Sequence, residues 1–250
     1  MSHWLGRLAV VLSLLLVACA PSPTSKAGQE AKSHYLLGAS ALAENNPTLA
    51  LQEFLLAEQA NSWDADIQAG LGRAYLQKGA YELAEKHFKK AISLSDGKPQ
   101  YYNNLGALYL TMERYDAAIA TFQKAADNLL FATPEIAWAG IGLAHFHKQD
   151  YTAAERAYRR ALELNPRYAQ AHFRLGELYY QQERFGEADN AFGRAVELDP
   201  RFVAGHYWLG LSAMKSRNIV RARQAFNEVI RLAPDSEQAR LARDSLKTLP

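Results

Sequence analysis

The chain of 250 residues is 49% hydrophobic and 22% charged, with a formal net charge of +2. That near-neutral balance argues against a nucleic-acid binder, which carries a strong basic surplus, and suits one large globular domain or a repeat array. The single cysteine excludes an intrachain disulfide and a multi-cysteine zinc site.

The first element is "MSHWLGRLAVVLSLLLVACA", with Arg7 as a short basic region ahead of an apolar stretch from Leu8 to Val17. That stretch is shorter than the ~20 residues a bilayer span needs, and it suits a signal peptide over residues 1–18. Leu16-Val17-Ala18-Cys19 is similar to a bacterial lipobox, in which the thiol accepts a diacylglyceryl unit. The alternative is an ordinary secretory signal with Cys19 incidental. Two or more acyl chains would anchor the mature chain stably. Ala20, rather than an aspartate, follows the cysteine, which points to the periplasmic face of the outer membrane. "PSPTSKAGQE" then reads as a flexible tether, so residues 19–30 are predicted to hold the lipidated cysteine and a linker.

From Ala31 the chain repeats itself. Segments begin at Ala31, Ala65, Pro99, Glu135, Ala169 and Val203, spaced by 34, 34, 36, 34 and 34 residues. The eighth place of each is glycine: Gly38, Gly72, Gly106, Gly142, Gly176 and Gly210. An aliphatic residue precedes it, from Leu37 in the first copy to Leu209 in the last. Alanine follows at Ala50, Ala84, Ala118, Ala154, Ala188 and Ala222, and an aromatic at Phe54, Phe88, Phe122, Tyr158, Phe192 and Phe226. Pro166, Pro200 and Pro234 close the last three copies. The pattern resembles the tetratricopeptide repeat over Ala31 to about Asp235. The resemblance implies an all-α fold, a right-handed superhelix or α-solenoid of six helix pairs. The units are residues 31–64, 65–98, 99–134, 135–168, 169–202 and 203–234. Glycine and alanine let the paired axes approach, and proline stops the second helix. "DSEQARLARDSLK" is predicted to form a capping helix within residues 235–250, opened by Asp235 or Ser236.

No phosphate-cradling glycine loop, paired-histidine zinc helix or serine elbow is found. His145 and His147 stand two apart, so they do not share a helix face. "ERAYRRALE" reads as a solvated face on which Glu155 meets Arg159 one turn on. The chain is therefore read as a non-enzyme without cofactor or metal, a covalent lipid on Cys19 aside, and without a nucleic-acid or small-molecule partner.

Function is then expected on the concave face lined by the first helix of each unit. In peptide-binding arrays of this class, places two, five, nine, twelve and thirteen point inward. No carboxylate clamp is evident there. Leu143, Phe146, Phe173, Tyr180 and Tyr207 instead form an apolar, aromatic lining in the last three units, unless a tight superhelix buries some of them.

The lipobox, short tether, six repeats and capping helix together resemble the type IV pilus biogenesis lipoproteins PilF, PilW and Tgl, the pilotins of the outer-membrane secretin. The specific stretch is "YYNNLGALYLTMERYDAAIATFQKAADNLLFATPEIAWAGIGLA". Within it Asn103, Asn104 and Gly106 are similar to that family's third repeat, and Asp127 and Leu130 to the link before its fourth. The resemblance implies a protein that binds subunits of the secretin PilQ and promotes their outer-membrane localisation or multimerisation. A lipidated scaffold for another envelope complex, such as polysaccharide export or a peptidoglycan-hydrolase adaptor, is the alternative. Two departures are Gly140-Ile141-Gly142, where the family commonly has Asn-Leu-Gly, and the well-kept last two repeats.

The link "DNLLFATP" is where the period lengthens by two residues. Thr133 and Pro134 are read as an N-cap and a helix-opening proline. Leu129, Leu130 and Phe131 either tuck into the seam as a plug, the favoured expectation, or stay exposed to meet a partner.

Overall fold

The structure, a computed structural model, describes residues 24–250. The predicted leader, the lipidation site Cys19 and the start of the tether lie outside the described residues. Within them the chain forms thirteen α-helices and no strand. They fall as pairs: α1 (Lys26–Ala43) with α2 (Pro47–Ala60), α3 (Ala65–Gln77) with α4 (Tyr81–Leu94), and α5 (Pro99–Thr111) with α6 (Tyr115–Ala126). The pairs α7 (Pro134–His147) with α8 (Tyr151–Leu164), α9 (Ala169–Gln181) with α10 (Phe185–Leu198), and α11 (Val203–Lys215) with α12 (Ile219–Leu232) follow. The last helix, α13 (Glu237–Thr248), stands alone.

The helix begins earlier than the composition suggested. Residues 26–30, expected in the tether, form the first turn of α1. The Ser25 hydroxyl accepts the Gly28 amide at 3.0 Å, and Gly28 and Ala31 are buried. A capping residue and a buried helix face outweigh a linker-like composition.

Each pair closes through one turn type. The fifteenth residue of every repeat is left-handed: Asn45, Gly79, Glu113, Gln149, Glu183 and Arg217, with φ between 56° and 73°. In the third repeat the Glu113 amide donates to the Leu110 carbonyl and the Arg114 amide to the Tyr109 carbonyl. These paired bonds make a Schellman motif, which satisfies the last carbonyls of α5 and reverses the chain.

Inside each pair the eighth-place glycine faces the aromatic of the second helix. A Cβ at Gly142 would lie 2.5 Å from the Tyr158 ring, and one at Gly176 2.6 Å from Phe192. Only glycine permits that approach. All six aromatics are at most 2% exposed, each burial contributing about 2–3 kcal/mol.

The joints between repeats alternate in kind. At the first and third joints a sixth-place glycine draws the next repeat close: a Cβ on Gly70 would meet Phe54 at 2.5 Å, and one on Gly140 would meet Phe122 at 2.5 Å. At the second and fourth joints a polar clamp spans the gap. Glu85 accepts the Tyr109 hydroxyl at 2.9 Å and Arg114 at 3.0 Å. Glu155 accepts the Tyr179 hydroxyl and Arg184, each at 3.1 Å. The guanidinium of each clamp also stacks over its tyrosine ring, at 4.5 Å for Arg114 and 4.3 Å for Arg184. Glu155 therefore does not belong to a plain solvated face: its side chain is 20% exposed and bridges two repeats as well as meeting Arg159 at 2.7 Å. The fifth joint has an ion pair, Arg221 to Asp189 at 3.3 Å.

The backbones of successive first helices approach one another, whereas those of the second helices approach only first helices or the cap. The first helices therefore form the inner, concave layer and the second helices the outer one. At the far end α13 packs on α11 and α12, burying Ala239 and Ala242 beside Phe226 and Val229. Ser236, not Asp235, caps it, its hydroxyl accepting the Ala239 amide at 3.1 Å. At the near end Leu37 is 53% exposed, although its counterparts Leu71, Leu105, Ile141, Leu175 and Leu209 are at most 6% exposed.

Candidate functional site

Along the inner layer, the predicted lining splits. Leu143, Phe146, Tyr180 and Tyr207 are half-buried, so each shows part of its surface to solvent. Phe173 does not: it is 5% exposed, its ring 4.8 Å from Phe202 and 5.4 Å from Phe192. The side chain turns into the seam because Phe202 stands at the entry to α11 and offers an aromatic partner. Phe173 is a core residue rather than a lining one. Ala69 and Ala139, at the same place in their repeats, are also buried.

The missing ring is supplied by Trp208. Its indole meets Tyr180 edge-on at 5.1 Å and stacks on Phe192 at 6.0 Å. Tyr180 also meets Phe185 at 5.2 Å, and Phe146 meets Tyr151 at 5.7 Å. These ring contacts, two edge-to-face, one tilted and one stacked, hold the rings in fixed orientations. Trp208 escaped the sequence reading because place six is not among the inward places of peptide-binding arrays, and two of its counterparts are Gly70 and Gly140. Burial raises the pKa of the Tyr180 and Tyr207 hydroxyls, so both stay protonated and able to donate.

The other end of the array mixes charged and apolar groups. A cavity of about 250 Å³ beside α1 and α3 is lined by Lys32, Tyr35, Asp64, Asp66 and Ile67 among others. The Tyr101 hydroxyl donates to Asp66 at 2.7 Å. Burial first, and then that hydrogen bond to the carboxylate, raise the Tyr101 pKa. Asn103 is half-buried, and its Oδ1 is enclosed without a hydrogen-bond partner among the described residues.

The link trio also splits. Leu129 is 100% and Leu130 90% exposed, whereas Phe131 packs against the core of the third and fourth repeats. The plug expected of all three is therefore made by Phe131 alone. The Asn128 side chain accepts the Leu130 amide at 2.9 Å, and the Asn128 carbonyl accepts the Phe131 amide at 3.0 Å. That tight turn points the two leucines away from the seam. Thr133 holds the position before α7 without a side-chain hydrogen bond, and Pro134 opens the helix.

Chemically, this arrangement offers aromatic and aliphatic contact area with a few hydrogen-bonding groups. Among the described residues no group of three or more His, Cys, Asp or Glu side chains could hold a metal ion. His147 stacks on Tyr115 at 5.4 Å, while His145 lies apart from it and 3.5 Å from Asp150.

Comparison with known proteins gives the family. Tetratricopeptide-repeat models match residues 65–130, 142–183 and 173–237, together more than half of the chain. The chain is a tetratricopeptide-repeat protein. The array is similar to the type IV pilus assembly protein PilF of Pseudomonas aeruginosa, with 22% identity over 182 residues, covering 70% of this chain and 72% of PilF. It is also similar to the Hsp70-Hsp90 organizing protein of Triticum aestivum, 31% identical over 104 residues, but spans only 17% of that protein's length. Among solved structures, PilF of P. aeruginosa superposes with a TM-score of 0.72 at 17% identity, covering 88% of this chain and 100% of that one. PilW, described as a widely conserved type IV pilus biogenesis factor, superposes with a TM-score of 0.75 at 18% identity, covering 86% and 99%. At such identities the superpositions show a shared fold. Arrays of this fold are protein-interaction scaffolds.

Proposed function

We propose that this tetratricopeptide array is a lipid-anchored protein of the outer membrane's periplasmic face. There it binds secretin subunits and promotes their localisation or multimerisation in type IV pilus biogenesis. One observation carries the reading: the array covers 100% and 99% of the solved PilF and PilW chains, rather than a shared fragment of them. The lipobox at Cys19 and the half-buried ring set of Phe146, Tyr180, Tyr207 and Trp208 support it, the first as the anchor and the second as partner contact. No bond is made or broken in this role.

A deletion strain tests the proposal. Loss of surface pili together with monomeric secretin supports it, and normal secretin multimers in the deletion strain sink it. Complementation with Cys19→Ala separates the anchor from the array: the variant protein is expected to leave the membrane fraction.

A second reading, a lipidated scaffold for a different envelope complex, is favoured by one observation. Identity to the repeats of the wheat Hsp70-Hsp90 organizing protein exceeds identity to PilF, so the repeats by themselves do not single out a pilus role. It becomes the working assignment if the deletion leaves secretin assembly unchanged.

A further inference from the structure

The third joint carries a surface that the concave-face reading does not use. Between α6, α7 and α8 lies an open cleft of about 360 Å³. Its floor is apolar, made by Ile119, Trp138, Ile141 and Ala157, and its rim is basic, with Arg156 and Arg160. Among the described residues no carboxylate lines it. Arg160 has one partner, Glu163 at 2.8 Å on its own helix, with both side chains at least half exposed; such a pair is worth little and exchanges easily. Arg156 is exposed and makes no ion pair among the described residues. His145 also lines the cleft, and its Nδ1 lies 3.5 Å from Asp150, too far for a hydrogen bond.

The two-residue lengthening of the repeat lies beside this cleft along the chain. Gln123, on the cleft wall, comes one turn before the link, and Trp138 one turn after it. The link displays Leu129 and Leu130 at 100% and 90% exposure. Phe131 packing into the core anchors the turn that presents them. Exposed apolar side chains of this kind mark interaction sites, and the link that carries them joins two of the helices that wall the cleft.

We propose that the third joint docks an acidic, apolar protein segment. A large apolar side chain of the partner enters between Trp138 and Ile141, its flanking carboxylates meet Arg156 and Arg160, and Leu129 and Leu130 cover its far side. The charge of the rim selects the occupant: a basic or uncharged segment would leave two guanidinium groups facing an apolar partner. Bidentate geometry favours arginine over lysine for this pairing. The partner used as a probe rests on the function proposed above, since the secretin encoded in the same genome supplies it.

The test uses the full-length chain purified in detergent and immobilised, with detergent-solubilised secretin as the analyte. The same binding is measured with Arg156→Glu/Arg160→Glu, with Leu129→Ser/Leu130→Ser, and with the concave-face variant Tyr207→Ser. All the changed residues are exposed or half-buried, and circular dichroism melts confirm that each variant folds. The inference predicts at least a tenfold loss of affinity for the first two variants and weaker wild-type binding as salt rises. Partial rescue of the charge-reversed protein is expected from Lys substitutions at the secretin carboxylates that cross-link to it. Secretin binding that is indifferent to both joint variants overturns the inference while the proposed function stands. Loss in Tyr207→Ser alone also overturns it and places the contact on the concave face. Absence of any secretin binding by the wild-type chain overturns the function and this inference together.

Discussion

Glu155 offers the sharpest check on how the repeats are held together. Replacing it with alanine removes an acceptor whose side chain is only 20% exposed. Two donors on the next repeat lose this acceptor at once: the Tyr179 hydroxyl, on a residue 7% exposed, and Arg184, which keeps only its own-repeat partners Glu187 and Gln182. A hydrogen bond to a charged group contributes about 1.5–3 kcal/mol. The third partner, Arg159, is 61% exposed and adds no more than about 0.5 kcal/mol. The expected loss is therefore about 2–3 kcal/mol, read as a lower urea midpoint at pH 7. A double-mutant cycle with Arg184→Ala should return a coupling of about 1–2 kcal/mol. Glu163→Ala, which breaks only the surface pair with Arg160, should change stability by less than about 0.5 kcal/mol. If Glu155→Ala costs no more than that control, the clamp is a surface decoration and the joint is held by apolar packing alone.

Other outcomes follow from the same geometry. Phe173→Ala should cost about 3–5 kcal/mol by emptying a packed aromatic site, whereas Tyr207→Ser should cost clearly less in the same urea titration; equal losses would place Phe173 outside the core. Gly140→Ala brings a Cβ to 2.5 Å from Phe122 and should destabilise by about 1–3 kcal/mol; a neutral effect would mean the third joint yields freely. At Glu155, burial would raise the pKa, but hydrogen bonds from Arg184, Tyr179 and Arg159 outweigh it and hold the carboxyl low. Glu85 is held low likewise, by Lys89 and Tyr109 against burial. Depressed carboxylates stabilise above the unfolded value of about 4.3, and that contribution is lost as pH falls through the lower folded values. The wild type should therefore lose stability on acidification below about pH 4 more steeply than a Glu85→Gln/Glu155→Gln variant; parallel curves would contradict the assignment.

The helix pairs could be read before any coordinates because glycine, alanine and the aromatic recur at fixed places, and each is needed for the same close contact. What escaped depends on partners far away in the chain. The pairing of Glu155 with Arg159 is a local, one-turn relation, but Tyr179 and Arg184 come from the next repeat, and nothing in "ERAYRRALE" announces them. Phe173 sits at an inward place, where the repeat pattern predicts a lining residue, yet Phe202, 29 residues on, draws its ring into the seam. Residues 26–30 have the composition of a linker and become helix because Gly28 and Ala31 find a buried face. The link was recognised as irregular, but three adjacent apolar residues cannot reveal that a turn at Asn128 sends two of them outward and one inward.

The alternation of joints gives the array an uneven elasticity. Gly70 and Gly140 recur 70 residues apart, as do Glu85 and Glu155, Tyr109 and Tyr179, and Arg114 and Arg184. The mechanical repeat is thus two motifs long: a stiff coupling of interlocked backbone, then a compliant one of charge and ring. Ion pairs span both kinds, Glu58 with Lys90 and Asp116 with Lys148 at the stiff joints among them, but there they add to close glycine contact that the compliant couplings lack. Bending or stretching would therefore be taken up at the second and fourth joints, with the blocks between them moving as rigid bodies.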